Sequence, residues 1–195
     1  MQKIMFNDKY GLTQAVLEGR KTQTRHRAYT DYIKFPNTCI GLKDSDRNRL
    51  FLKDGSLIVA KSHYKIGEEV AVAQSYDMLA LDVKYSSEEL KQMIHSGGWE
   101  DKMFVKSELM PHRIRITNIR AKRLQYITDE ECLAEGIWKV HNVGLEGVTY
   151  WYTSLVNSPY RTAREAYAAL VDKISGKGTW ASNPYVFVYE FELIK

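Results

Sequence analysis

Apolar residues recur along this chain with two periods, and each period predicts a kind of element. The longest helical stripe runs over 162–175, where Ala163, Ala166, Tyr167, Leu170, Val171 and Ile174 fall three and four residues apart. Thr162 with Glu165 has the spacing of a capping box, and Gly176 closes the segment. The same signature opens 86–98, with Ser86 and Glu89 ahead of Leu90, Met93 and Ile94 and a stop at Gly97. It opens 128–136 as well, with Thr128 and Glu131 and a stop at Gly136. A shorter helix is expected over 8–18, capped by Asp8, striped by Leu12, Ala15 and Val16, and ended by Gly19.

Strict alternation marks the strands. In 112–127, Ile114 and Ile116 point to one face and Arg113 and Arg115 to the other, with Arg120, Lys122 and Arg123 continuing the basic character. In 184–194, Tyr185, Phe187, Tyr189, Phe191 and Leu193 share a face, and the other face turns polar at Glu190 and Glu192. Short strands are expected at 56–60 and 70–73. Residues 28–65 otherwise read as irregular, with the turn formers of "KDSDRNRLFLKDG", and 137–160 reads as turn-rich and aromatic. The order is helix, strands, helix, strand, helix, helix, strand. Strands so few and so separated do not make a doubly wound sheet. The expectation is one α+β domain over 1–195, built around a small mixed β-barrel flanked by helices.

Composition narrows the picture. Hydrophobic residues make up 44% and charged residues 27% of 195, an ordinary globular balance. Lys and Arg number 28 against 24 Asp and Glu, a net charge of +4 that does not by itself indicate nucleic acid. The distribution says more, because the basic residues cluster and no acid occurs from 109 to 128. Cys39 and Cys132 stand far apart and the five histidines are scattered, so no disulfide, metal site or cofactor is expected. No run approaches membrane-spanning length and no leader is seen, so the expectation is a cytoplasmic protein with no membrane partner.

The stretch "EGRKTQTRHR", 18–27, concentrates Arg20, Lys21, Arg25 and Arg27 beside His26 and two threonines. A turn at Gly19 can expose backbone N–H groups, and the four cations can hold a phosphate or carboxylate. The alternative is a solvated basic turn. Thr22 and Thr24 add hydroxyls that become nucleophiles only with a base in reach, and Lys21 is such a base if crowding lowers its pKa. Arg113 and Arg115, alternating on one strand face, can track a phosphate backbone or simply line an exposed sheet. "SGKGTWASNP", 175–184, lacks the P-loop pattern and lies between a helix and a strand in the wrong order, so it reads as a turn.

Four segments in order resemble the ASCH proteins of the PUA-like superfamily. "LEGRKTQTR" is similar to their GxKxxxxR signature, "YKIGEEVAVAQSY" to their Gly-acid turn and core strand, and "RIRITNIRAKRLQYITDEECLAEGI" to their strand-then-helix segment. "ISGKGTWASNPYVFVYEFELI" looks like the close of the larger type, often associated with phages or prophages. Segments 28–63 and 77–110 match nothing in that pattern and read as insertions. The resemblance implies a PUA-like barrel whose cleft takes RNA or a nucleotide. It also implies, from small bacterial members, an alternative activity as an amidohydrolase on N4-acetylcytidine-type nucleosides. The catalytic set then falls on Lys21, Thr24 and Glu135. Ribonuclease activity is a third implication. The anion-binding set would be Gly19, Arg20, Arg25, Arg27, Arg113 and Arg115. The last signature position holds His26 where the family has Arg. Imidazole lacks the guanidinium fork, so the anion contact moves to Arg25 or Arg27, or the activity is lost.

Overall fold

The computed structural model of the chain describes residues 1–28, 39–42, 49–52, 58–82, 84–141, 147–153 and 158–194. The chain starts with strand β1 (Lys3–Ile4) and a 3-10 turn, Asp8–Tyr10. Gly11 then takes a left-handed conformation, φ +67°, so the helix expected from residue 8 begins only after it, as α1 (Leu12–Leu17). Strand β2 (Gln23–Arg27) follows, in the basic stretch that showed no apolar alternation. A three-stranded antiparallel sheet comes next, β3 (Cys39–Leu42), β4 (Arg49–Leu52) and β5 (Ile58–Lys61). Of the irregular segment read from the sequence, 29–38, 43–48 and 53–57 lie outside the described residues, as do 142–146 and 154–157 of the aromatic one.

β6 (Glu69–Val72) leads to α2 (Tyr76–Asp82), which the pattern did not predict, and α3 (Ser87–Ile94), whose Ser86–Glu89 capping box forms as expected. Two 3-10 turns, Lys102–Phe104 and Ser107–Leu109, lead to the long strand β7 (Arg113–Arg123). α4 (Asp129–Ala134) carries the Thr128–Glu131 box. The aromatic region contains a hairpin, β8 (Trp138–His141) and β9 (Val148–Trp151), where turns were expected. α5 (Ala163–Ser175) with its Thr162–Glu165 box, the short α6 (Thr179–Ser182) and β10 (Tyr185–Ile194) complete an α+β fold.

The main sheet has the order β1-β6-β7-β10-β2, antiparallel except for the β1–β6 pair. Among the described residues these pairings run from edge to edge, with β1 and β2 at the two ends. β10 lies between β7 and β2, and Val186, Phe187, Val188 and Tyr189 are all buried, so both of its faces are covered there. The one-sided alternation expected from the sequence applies to an exposed-face strand, not to this one.

β7 carries a bulge. Glu190 pairs with Asn118 and Phe191 with Ile116, which leaves Thr117 as the extra residue. The bulge reverses the facing of everything after it. Ile114 and Ile116 are fully buried before it and Ile119 after it, so Arg120 and Lys122 turn to the face opposite the first two isoleucines. On β6, Val70 and Val72 join the main core. Ala71 and Ala73 face a second, smaller core with Leu79, Val105 and Met110. Segment 77–110, read as an insertion, thus covers the far face of β6. Lys3 ties it down, donating to the carbonyls of Lys102, Met103 and Val105 at 3.0, 2.6 and 2.8 Å.

Candidate functional site

Gly19, φ +73°, turns the chain out of α1, and the Lys21 N–H donates to the Ala15 carbonyl at 2.9 Å. The Thr22 N–H then donates to the Ala134 carbonyl at 2.9 Å, and the Thr22 carbonyl accepts from the Phe191 N–H at 2.9 Å. These bonds hold the start of β2 between the end of α4 and β10. At the end of α4, Gly136 has φ +102°, and a Cβ there would meet Leu12 Cδ2 at 3.3 Å and Lys21 Cβ at 3.7 Å. A glycine is what lets α4 close onto α1 and the Lys21 stem.

Lys21 is 2% exposed and spends all three ammonium protons inside the protein. Nζ donates to the Gln23 carbonyl at 2.8 Å, the Glu135 carbonyl at 2.8 Å and Glu135 Oε2 at 2.7 Å. Glu135 Oε1 accepts from Arg25 at 2.7 Å. Arg25 also donates to Glu131 Oε2 at 2.7 Å and Gln23 Oε1 at 2.8 Å. Glu131 Oε1 meets Arg120 at 3.1 Å and Lys122 at 3.2 Å, and Arg120 pairs with Glu190. The basic stretch of β2 and the basic end of β7 are thus two sides of one ion network, with the carboxylates of α4 between them. Burial pulls the Lys21 ammonium below its ordinary pKa, and the Glu135 carboxylate opposes that pull without reversing it.

A cavity of about 530 Å³ opens above this network, between residues 5–12, β2 and α5. Lys21, Thr24, His26, Glu135 and Tyr167 supply its polar wall, and Phe6, Leu170 and Val171 part of its apolar one. Thr24 is 7% exposed, and its hydroxyl forms no hydrogen bond among the described residues. His26 sits against the rings of Tyr189 and Tyr64, with centroids 5.3 and 6.0 Å away. Burial lowers its pKa to about 4, so the imidazole is neutral at pH 7. Burial, with the Glu135 charge adding to it, holds the Tyr167 phenol well above its ordinary range. Lys102 closes the rim, paired with Asp8 at 2.7 Å.

Compared with protein-family models, curated proteins and solved structures, the chain finds no match in any of the three.

Of the residues singled out in the sequence, Lys21, Thr24, Arg25 and Glu135 border this one cavity. Gly19 shapes the turn behind it without lining it. Arg20 points outward, paired with Glu18 at 2.7 Å and lying over the Trp138 ring at 4.9 Å. Arg27 ends β2, paired in register with Val186. Arg113 and Arg115 lie at the opposite end of β7, next to β6, and Arg115 is met by Glu69 at 2.9 Å and Glu192 at 3.3 Å. Tyr167, in the apolar stripe of α5, also lines the cavity, and Glu131, the capping-box acid of α4, joins its ion network; neither role shows in the helical pattern of apolar positions. Glu131 and Glu135 stand four apart on one helix face, and that spacing was the available signal for two acids facing a basic strand. Burial pushes the Cys132 thiol up to about 12, which leaves it unreactive. Among the described residues no cluster of His, Cys, Asp and Glu suits a metal ion, and no helix is long and apolar enough to cross a membrane.

Proposed function

We propose that this chain binds RNA or a nucleotide, with its base in the cavity above Lys21, as a cytoplasmic protein of the ASCH, PUA-like class that it resembles. The observation that carries the reading is the convergence of Lys21, Thr24, His26 and Glu135 on one cavity of about 530 Å³, well within the range of small-molecule sites. The four sequence segments that carry the resemblance include three of the parts that build the site: the 18–27 segment with β2, the α4 segment and β10. Calorimetric titration with cytidine, cytidine monophosphate and N4-acetylcytidine tests the reading. Binding of at least one of them, weakened by Thr24→Trp, which fills the cavity, is the expected result. No binding of any of the three would remove it.

A second reading has an observation of its own. Lys21 and Glu135 form a buried pair at 2.7 Å, on the same cavity as an uncommitted threonine hydroxyl. This is the set an amidohydrolase would use. Thr24 Oγ would attack the acyl carbon while its proton passes to a neutral Lys21. The amine would leave with that proton, and water would then release the acyl group from Thr24. Lys21 holds three hydrogen-bonded protons here, so one must first be lost, and burial favours that loss. Lys21→Arg keeps the charge and removes the base, because guanidinium does not deprotonate. Product analysis with N4-acetylcytidine should show turnover lowered by at least about 10²-fold in Lys21→Arg and in Thr24→Val. Turnover surviving in both variants would rule out the mechanism.

A further inference from the structure

Of the cations that line the first cavity, three are spent on carboxylates, and Lys9, which is exposed, has no acid partner among the described residues. Lys21 and Arg25 are bound to Glu135 and Glu131, and Lys102 is bound to Asp8. A ligand carrying several phosphates needs more uncommitted positive charge than that one lysine, and a different part of the molecule supplies it. A cleft of about 500 Å³ lies over the turn between β5 and β6, lined by Gln2, Lys61, Ser62, His63, Lys65 and Glu68, among others. Lys61, His63 and Lys65 are exposed. Among the described residues, no acid pairs with any of these three side chains. The one acid of the lining, Glu68, turns a carboxylate oxygen back to accept the Lys65 N–H at 2.8 Å, closing the turn at Gly67.

A run of aromatic contacts leads from one cavity to the other. The His63 ring stands 4.7 Å from the Tyr64 ring, and the Tyr64 ring 6.0 Å from that of His26, which lines the first cavity. The Tyr189 hydroxyl accepts from the His63 N–H at 2.9 Å, and the Tyr189 ring packs against both Tyr64 and His26. The cleft is therefore fixed to the site through a buried aromatic layer. Its lysines are point charges suited to phosphate, and its concave shape concentrates their field.

We propose that the Lys61–His63–Lys65 cleft binds the phosphates of a single-stranded polynucleotide next to the nucleoside held in the first cavity. This rests on the nucleoside reading of that cavity and makes the preferred ligand a chain, not a free nucleoside. The test is titration of the full protein and the double variant Lys61→Ala/Lys65→Ala with two probes, cytidine and a short single-stranded oligoribonucleotide, across a range of salt concentrations. The substituted side chains are exposed, and equal melting temperatures would confirm that the variant is folded. The expected result is weaker oligonucleotide binding by the variant, with its log–log salt slope flattened by roughly 1.4, or 0.7 for each phosphate contact. Cytidine binding should stay as in the wild type. Oligonucleotide affinity and slope equal to wild type in the variant would overturn the proposal, as would wild-type protein that binds the oligonucleotide no better than cytidine. If wild-type protein fails to bind cytidine yet binds the oligonucleotide through the two lysines, the cleft stands and the cavity reading falls.

Discussion

His26 is the residue where a change of charge would be felt most directly. Its ring is enclosed by Tyr64 and Tyr189, and the charged or titratable groups acting on it are Glu135, Lys21 and His63. The folded pKa of about 4 lies below the ordinary 6.5, so between these values the unfolded chain holds a proton that the folded chain refuses. Stability is therefore full above about pH 6.5 and falls as pH drops toward 4, by on the order of 2–3 kcal/mol from this group. Urea unfolding across that range should show a steeper loss in the wild type than in His26→Gln, whose side chain does not titrate. Parallel pH profiles would mean that the ring accepts a proton freely in the folded state.

At the scale of elements, two glycines end helices that meet at the site, and they do so in different surroundings. A Cβ at Gly19 would meet no atom within 4 Å, whereas one at Gly136 would press on Leu12 and Lys21. Gly19→Ala should cost about 1–2 kcal/mol, the penalty of a left-handed residue. Gly136→Ala adds crowding to backbone strain and should cost more, up to about 3 kcal/mol for the strain alone. Denaturant midpoints of the two variants give the comparison, and equal losses would mean that α1 yields easily. The helix starts were legible because a capping box is local chemistry, and those of α3, α4 and α5 form as expected. β2 was not legible, because "QTRHR" carries no apolar alternation. Its strand form comes from pairing with β10 and its burial from carboxylates more than a hundred residues away. The bulge at Thr117 was hidden for the same reason, since only the register against β10 reveals it. Lys21, Thr24 and Glu135 could be named from motif order, but the ion network joining Lys21 to Glu135 and Arg25 depends on distances that spacing does not encode.

At the scale of the whole molecule, that network fastens three distant parts of the chain: Lys21 with the start of β2, the β7–α4 region and Glu190 on β10. Arg25 is its centre, with a side chain 1% exposed between two glutamates. Removing one partner of a buried pair strands the other, so Arg25→Met should cost about 3–5 kcal/mol. Glu131→Gln, nearer the surface, should cost less. The double variant should be more stable than the two losses predict, by about 0.5–3 kcal/mol, because its partners touch. A thermodynamic cycle from urea unfolding measures this, and simple additivity would show that α4 is held by its apolar face alone.

Lys21 and Glu135 lie 114 residues apart, and Gln23 pairs in register with Glu190 near the other end of the chain. On a ribosome, the strand that will become β2 emerges long before its partners. At about 5–20 residues per second, the wait from Lys21 to Glu190 is on the order of 10–30 s. Until α4 has followed, Lys21 and Arg25 stand beside ribosomal RNA without the Glu131 and Glu135 carboxylates that later neutralise them. The basic strand is thus made long before its partners, and a nascent chain cannot assemble the site until β10 has followed.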